Sequence, residues 1–199
     1  MIIRPIKLED TAKLSVFHRE SLPDTISSKM GKNYLEAIYR SIVKNRGNNL
    51  AYLMEEKGQI TGAICSTYDL GLFQTQVIKE LKFTDYIQIL VAIASFKATL
   101  INILKRMFFE KTLIKSYKKN YVSILILFTT EKFRRRGIGS RLIKRVLKQT
   151  NKKVKYFYVD TLSTNKTALN LYKTLGFKIK KRIADSILLV YENKQRQKR

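Results

Sequence analysis

Three kinds of residue that mark particular classes of protein are almost missing from this sequence. Its 199 residues include one cysteine (Cys65), one histidine (His18) and two prolines. A single thiol cannot form an intrachain disulfide, so we expect a reducing compartment, the cytoplasm, and a core residue at Cys65. Without a cluster of cysteine and histidine, no transition-metal site is expected. We interpret His18 as a surface or packing residue first and as a substrate contact second.

Acidic residues are also scarce. The chain has 40 Lys and Arg against 15 Asp and Glu, a formal net charge of +25, and no acid lies between Lys132 and Lys155. Such a surface favours an anionic ligand or partner, for which nucleic acid, a ribosome and an anionic membrane are open alternatives. A lysine-rich genome composition explains the excess equally well.

The chain has the length and composition of one domain. Its apolar content of 45% is enough for a sizeable core. The first residues form a strand followed by charges instead of an apolar signal segment, so secretion is not expected. We predict a single domain over residues 1–192 and a disordered basic tail over residues 193–199.

A glycine-containing loop is the most informative local feature. The loop at 134–139 reads Arg-Arg-Arg-Gly-Ile-Gly, follows an apolar β-prone run at 121–128 and precedes an amphipathic helical pattern at 137–150. A strand, a glycine loop and a helix start place free backbone N–H groups where an anion can bind. Gly137 and Gly139 lack a Cβ, so phosphate oxygens can approach the main chain. The loop is neither a Walker loop nor a dinucleotide fingerprint.

A second signature lies downstream of the loop. A strand-like run at 154–160 precedes a helical pattern at 165–175, which begins at Asn165 and stops at Gly176. Tyr172 lies on the inner face of this helix. Read without further context, Asn165 is a helix N-cap and Tyr172 is a core aromatic.

Together the two segments resemble the GNAT superfamily of acyl-CoA N-acyltransferases. Arg134, Gly137 and Gly139 match its Gln/Arg-x-x-Gly-x-Gly/Ala motif, although Arg135 stands where the family often has glycine. The second segment matches its Asn-x-x-Ala-x-x-x-Tyr-x-x-x-Gly-Phe pattern at Asn165, Ala168, Tyr172, Gly176 and Phe177. The resemblance implies an α+β fold, with a central mixed, mostly antiparallel sheet flanked by helices and a helical insertion between strands 3 and 4.

The coarse order of elements agrees with that fold. We predict strands at 2–6, 50–56, 59–68, 121–128, 154–160, 177–183 and 186–192, helices at about 9–20, 31–45, 137–150 and 165–175, and a tight turn at 57–58. The helical insertion at about 73–116 is mostly apolar but carries a polar stripe at helical spacing, formed by Gln88, Ser95, Thr99, Asn102 and Arg106. We predict that it packs on the domain and does not span a bilayer; a homodimer contact, a lid and an in-plane membrane helix are the alternatives.

The resemblance also implies a reaction: direct transfer of an acetyl group from acetyl-CoA to an amine of a small molecule, amino sugar or peptide. The implied cofactor-binding residues are Leu127, Phe128, Thr129, Arg134, Arg135, Arg136, Gly137, Ile138, Gly139, Ser140, Asn165 and Tyr172. Tyr172 is the implied general acid toward the departing thiolate, and a strand N–H would stabilise the oxyanion. Asp69 is the predicted general base, ahead of Tyr68, Glu20 and Asp24.

The alternative function is a catalytically idle protein of the same fold. It would bind nucleic acid, a ribosome or an anionic membrane through its basic surface, in the cytoplasm or peripherally on a membrane. Tyr172 and Asn165 beside the glycine loop favour the enzyme, and no RNA-stacking motif supports the alternative.

Overall fold

A mixed seven-stranded sheet organises the computed structural model, which describes residues 1–95, 120–150, 154–183 and 185–193. The strand order is β1-β2-β3-β4-β5-β7-β6, and every neighbouring pair is antiparallel except β4 and β5, which are parallel. This confirms the predicted fold class. The strands are β1 Ile2–Pro5, β2 Asn49–Glu56, β3 Gln59–Thr67, β4 Tyr121–Thr129, β5 Tyr156–Leu162, β6 Lys178–Ile183 and β7 Ser186–Glu192.

Helices cover both faces of this sheet. They are α1 Thr11–Ser21, α2 Ile26–Lys29, α3 Lys32–Lys44, α4 Leu70–Glu80, α5 Phe83–Ser95, α6 Ile138–Thr150 and α7 Lys166–Thr174. Single 3-10 turns occupy Leu8–Asp10 and Glu131–Phe133. The short α2 was not predicted; its N-cap is Thr25, whose hydroxyl accepts a hydrogen bond from the Ser28 N–H.

Two separate cores lie on opposite faces of the sheet. One contains the apolar stripe of α6, with Leu142, Ile143 and Val146, together with α7. The other contains α1, α3 and α4 and includes Cys65, which is fully buried as predicted. Burial on both faces explains why the central strands are apolar along their whole length.

Local turn and cap signals in the sequence are confirmed. Lys57 and Gly58 both have positive φ, 50° and 74°, in the hairpin between β2 and β3. Asn165 is the N-cap of α7, with its Oδ1 accepting from the Ala168 N–H at 3.0 Å. Gly176, with φ +89°, follows the end of α7.

The described part of the insertion consists of α4 and α5, and α4 begins at Leu70, slightly before the predicted start. Asp69 caps α4, which explains the earlier start. The prediction for 96–116, including Thr99, Asn102 and Arg106 of the polar stripe, lies outside the described residues, as does the tail after Asn193. Among the helices that the structure describes, none combines the length and the apolar character needed to cross a bilayer.

Candidate functional site

The two parallel strands at the centre of the sheet pair over only half of their length. Tyr121 through Ile124 of β4 are in register with Tyr156 through Val159 of β5. Beyond these residues, β4 continues beside β3 to Thr129 and β5 continues beside β7 to Leu162. The structure describes both continuations and shows no pairing between them. A wedge-shaped gap therefore opens after Ile124 and Val159, at the carboxyl ends of both strands.

The main chain of β4 supplies polar groups to this gap. The Thr130 N–H donates to the Thr61 carbonyl at 3.0 Å, so residue 130 turns its main-chain groups toward β3. Because successive residues of an antiparallel strand alternate in this direction, Phe128 also faces β3, whereas Leu127 and Thr129 turn their N–H and C=O groups toward the gap. Pairing of Ala63 with Phe128 and of Ile64 with Leu127 gives the same register. These groups can hydrogen-bond to a chain with amide groups.

A bulge in β4 lies at the start of the gap. Cys65 pairs with Ile126 and Ser66 pairs with Ile124, so Leu125 is the extra residue. A bulge bends its strand and increases its twist. Farther along, Gly62 lets β3 approach β4 and α6 closely, since a Cβ built there would lie 2.7 Å from the Phe128 carbonyl oxygen and 3.0 Å from Ile138 Cγ2. Sequence reasoning missed both features; the isolated glycine in a strand pattern is the signal that could have suggested them.

The wide end of the gap is closed by the N-terminus of α6. The Arg141 N–H donates to the Gly137 carbonyl at 3.0 Å, which is the first hydrogen bond of the helix. The N–H groups of Ile138, Gly139 and Ser140 precede it and have no partner within the helix. No acidic side chain lies in the first turn of this helix. These amides and the positive end of the helix dipole form a site suited to a phosphate group.

The three arginines of the loop differ in their contacts. The Arg136 guanidinium pairs with Glu56 at 3.6 Å and lies 5.1 Å from the centre of the Phe133 ring. Arg134 Nη2 reaches the Ser21 carbonyl at 3.5 Å, which links the loop to the end of α1. All three arginines are exposed. They can therefore add charge-assisted hydrogen bonds to an anion held by the amides.

Backbone conformation explains two of the loop residues. Gly137 has φ +72°, and Arg135, where the family often has glycine, has φ +62°. The loop thus keeps a left-handed conformation at Arg135 that glycine adopts without steric cost. Gly139 is in a tight place for a different reason: a Cβ built on it would lie 3.0 Å from Leu171 Cδ2, so the Leu171 side chain would have to shift by a few tenths of an ångström, and 3.9 Å from Leu127 Cδ2, an ordinary contact.

Tyr172 lies in the core beneath the sheet. It is 5% exposed, on α7, with its ring 5.6 Å from that of Phe177. Burial raises the pKa of its phenol well above the usual value, and the negative charge of Asp160 raises it further. The phenol is therefore protonated at neutral pH and is a weaker acid than a free tyrosine.

Asp160 is a site residue that sequence reasoning missed. It is half-buried on β5, directly after Val159, the last residue paired with β4. Phe157 and Val159 face α6 and α7 in the core that holds Tyr172. Because side chains alternate along a strand, Asp160 belongs to the opposite face of the sheet. Asp160 thus lies where the two strands part, and its charge influences Tyr172; a charged residue interrupting an apolar strand was the available signal.

The other predicted carboxylates lie elsewhere. Asp69 is exposed, caps α4 by accepting from the Leu72 N–H at 2.9 Å, and lies at the Tyr121 end of β4. The bulge at Leu125 is four residue steps along the strand from Tyr121, roughly 13 Å. Glu20 and Asp24 are exposed near the end of α1.

His18 is a packing residue and not a surface residue. It is 1% exposed, its Nδ1 is 3.0 Å from the Tyr39 hydroxyl, and its ring lies 6.0 Å from that of Phe128. Burial lowers the pKa of His18 to about 4, so the ring is neutral at physiological pH. Its role is to join α1, α3 and β4 behind the gap.

Comparison with known proteins assigns this geometry to a family. A model of the acetyltransferase (GNAT) family matches residues 16–177. A sequence search of curated proteins finds no match. Because the family model covers most of the chain, the chain belongs to the acetyltransferase (GNAT) family.

Solved structures with the same fold include several acetyltransferases. A PaiA N-acetyltransferase from Thermoplasma acidophilum, in complex with coenzyme A, shares 15% identity at a TM-score of 0.61, covering 96% of this chain and 98% of that one. NAA60 from Arabidopsis thaliana, in complex with acetyl-CoA, shares 21% sequence identity at a TM-score of 0.58, and the match covers 96% of this chain and 97% of that one. A ribosomal-protein-alanine N-acetyltransferase from Brucella melitensis shares 13% sequence identity at a TM-score of 0.61, and the match covers 96% of this chain and 99% of that one.

The family assignment confirms the predicted resemblance and the acyl donor, acetyl-CoA. The donor's phosphates and its amide-containing arm match what the gap provides: unpaired amides at the start of α6 and main-chain groups along β4. The individual roles of the site residues remain predictions.

Proposed function

We propose that the chain is an N-acetyltransferase that moves an acetyl group from acetyl-CoA directly to an amine of a small molecule, an amino sugar or a peptide. The observation that carries this proposal is the gap that opens between β4 and β5 after Ile124 and Val159 and ends at the start of α6; we place the reaction at its narrow end, with Asp160 and Tyr172 as the reacting side chains. Such a gap accepts a long donor molecule with phosphates at one end and a reacting group at the other.

The direction of the donor follows from its charge. Its pyrophosphate binds the amides of Ile138, Gly139 and Ser140 and the loop arginines, as predicted from the sequence. The pantetheine arm then runs along β4, where the main-chain groups of Leu127 and Thr129 pair with its amides. The thioester comes to the narrow end, beside the bulge at Leu125.

The chemical step balances without a further reactant. The amine nitrogen attacks the thioester carbonyl carbon, a C–N bond forms, and the C–S bond breaks with its electron pair on sulfur. The carbonyl oxygen carries the developing negative charge, which a main-chain N–H of β4 stabilises. Tyr172 donates its proton to the thiolate, and a carboxylate accepts the proton lost by the amine.

Asp160 is the carboxylate that the geometry favours as this base. It lies on the face of the sheet opposite Tyr172. Asp160 would therefore accept the amine proton on one side of the thioester, and Tyr172 would protonate the leaving sulfur on the other. Asp69 is a second candidate, but its Oδ1 already caps α4 and it lies near Tyr121, away from the gap.

A thiol-release assay with acetyl-CoA and a panel of amines tests the proposal. The panel contains polyamines, amino sugars and peptides with N-terminal alanine. With an accepted amine, Tyr172→Phe and Asp160→Asn should each lower kcat by roughly 10²-fold, the usual scale for a positioned acid or base. The acetyl-CoA affinity of both variants should remain unchanged.

Asp69→Asn is the matched control for Asp160→Asn, since each change removes one carboxylate. It should keep turnover within about threefold, because an asparagine is also a good N-cap. The reverse ranking would identify Asp69 as the base. Acetyl-CoA binding without turnover of any amine would instead favour the idle alternative.

A further inference from the structure

The helices α4 and α5 present apolar side chains to solvent in an arrangement that normally faces a core. Phe83, Tyr86 and Ile87 follow the i, i+3, i+4 spacing of one helix face and are 79%, 41% and 48% exposed. Ile78 of α4 is 57% exposed, and its carbonyl accepts a hydrogen bond from the Tyr86 hydroxyl at 3.3 Å. We call these four residues the apolar patch. A soluble helix usually buries such a stripe.

The side of α5 that carries its carboxylate is the buried one. Asp85 is 3% exposed. Its Oδ1 accepts from Asn33 Nδ2 at 3.0 Å, and its Oδ2 accepts from the Lys82 N–H at 2.9 Å. This contact with α3 fixes the rotation of α5, so the apolar patch is held outward by a buried polar contact.

The charges beside the patch are of one sign. Lys79 and Lys82 are exposed. The nearest acid, Glu80, is paired with Lys44 Nζ at 2.8 Å and with Arg40 Nε at 3.7 Å. Nothing acidic in the described part of α4 and α5 is left to offset the two lysines at the rim.

We propose that the apolar patch and its two lysines dock the protein on an anionic lipid surface. Aromatic and aliphatic side chains that enter the headgroup region, with lysines at the rim, are the features that such surfaces bind. A net charge of +25 adds attraction to the same surface. The docking is peripheral, by the outer turns of α4 and α5.

A second copy of the chain is a poorer occupant. Two-fold pairing through the patch would bring Lys79 and Lys82 of each copy together between two strongly cationic molecules. Charge complementarity therefore favours the lipid surface.

A tryptophan reporter gives a direct test, because the natural chain has no tryptophan. Phe83→Trp is mixed with vesicles of phosphatidylcholine alone or with about 30% phosphatidylserine, a composition of the anionic kind that recruits basic segments. Its emission should shift to the blue only with the anionic vesicles. Leu8→Trp, at a 51% exposed site on another element, should not shift.

Flotation with the same vesicles separates the apolar and cationic contributions. Phe83→Ser/Ile87→Ser and Lys79→Glu/Lys82→Glu should each reduce binding by roughly tenfold or more. The controls Leu8→Ser and Lys148→Glu should bind like the natural chain, and acetyl-CoA affinity should be unchanged throughout. No binding to anionic vesicles, equal binding to neutral ones, or a dimer that Phe83→Ser/Ile87→Ser dissociates in light scattering would overturn the proposal.

Discussion

The two halves of the β4–β5 pair differ in sequence and in what their main chains contact: the paired half is mostly apolar, whereas β5 continues with Asp160 and Thr161 where the strands separate. In the paired half, Val122 and Phe157 are in register and fully buried, so main chain and side chains are both satisfied within the protein. In the separated half, beyond Ile124 and Val159, strand main chain faces a gap. The difference is produced by the bulge at Leu125 and by α6, which begins at the wide end of the gap. The paired half is thus the packed, rigid part of the two strands, and the separated half is the part whose main chain is free to bind a ligand.

Phe157→Ala tests the paired half and should have the largest effect. Phe157 is fully buried, with its ring 5.9 Å from that of Tyr191. Removing it leaves a cavity, so the free energy of unfolding should fall by about 3–5 kcal/mol, measured by urea denaturation. The folded fraction should keep its acetyl-CoA affinity. A change in the free energy of unfolding below about 1 kcal/mol would show that the paired half is not tightly packed.

Gly139→Val tests the separated half. It should change the affinity for acetyl-CoA, by a smaller free energy than the loss of stability expected for Phe157→Ala. Its branched side chain would displace Leu171 and Leu127, which lie 3.0 and 3.9 Å from a Cβ at this position. Acetyl-CoA affinity should fall by roughly 100-fold, about 2.7 kcal/mol, while helix content stays the same in circular dichroism.

Lys148→Val, on an exposed face of the same helix, is the control for Gly139→Val and should bind acetyl-CoA normally. Unchanged affinity by calorimetry in a folded Gly139→Val variant would contradict the assignment of the loop as the donor site.

Arg135→Gly should have the smallest effect and concerns the loop between β4 and α6, at the wide end of the gap. Arg135 has φ +62°, a conformation that glycine adopts without strain. The variant should be more stable by about 0.5–1 kcal/mol in thermal or urea unfolding. Arg136→Gly is the matched control, because its backbone does not require glycine, and it should be neutral or slightly destabilising. A loss of stability in Arg135→Gly would mean that the Arg135 side chain stabilises the loop.

Most elements were predictable because local signals marked them. The alternation and the apolar runs predicted all seven strands within about two residues, and Lys57-Gly58 and Gly176 predicted the hairpin and the end of α7. The errors in the predicted elements lie where the local sequence pattern is weak or where a capping side chain sets the end of a helix. Helix α2 has only four residues, and α4 starts at its Asp69 cap instead of at residue 73.

Sequence reasoning proposed the parts of the candidate site that are continuous in sequence and left out a residue whose position depends on strand pairing. The loop residues and Tyr172 belong to motifs with fixed spacing, so their roles could be predicted from single segments. Asp160 could not be compared with Asp69 as a candidate base, because that comparison depends on where β4 and β5 part. That point lies at the bulge opposite β3, which is a relation between strands distant in sequence.

The sequence by itself determined the family and with it the acyl donor, and it predicted the helix start that we propose for the donor's phosphates, since these depend on residue spacing within single segments. Tertiary structure decided three other things: the point at which β4 and β5 part, the position of Asp160 directly after that point, and the outward face of α5. Each of these depends on contacts between segments far apart in the chain, such as the pairing of β3 with β4 and the contact of Asp85 with Asn33. Strand separation and helix rotation follow from the packing of neighbouring elements, which a local pattern such as an isolated glycine can suggest but does not fix.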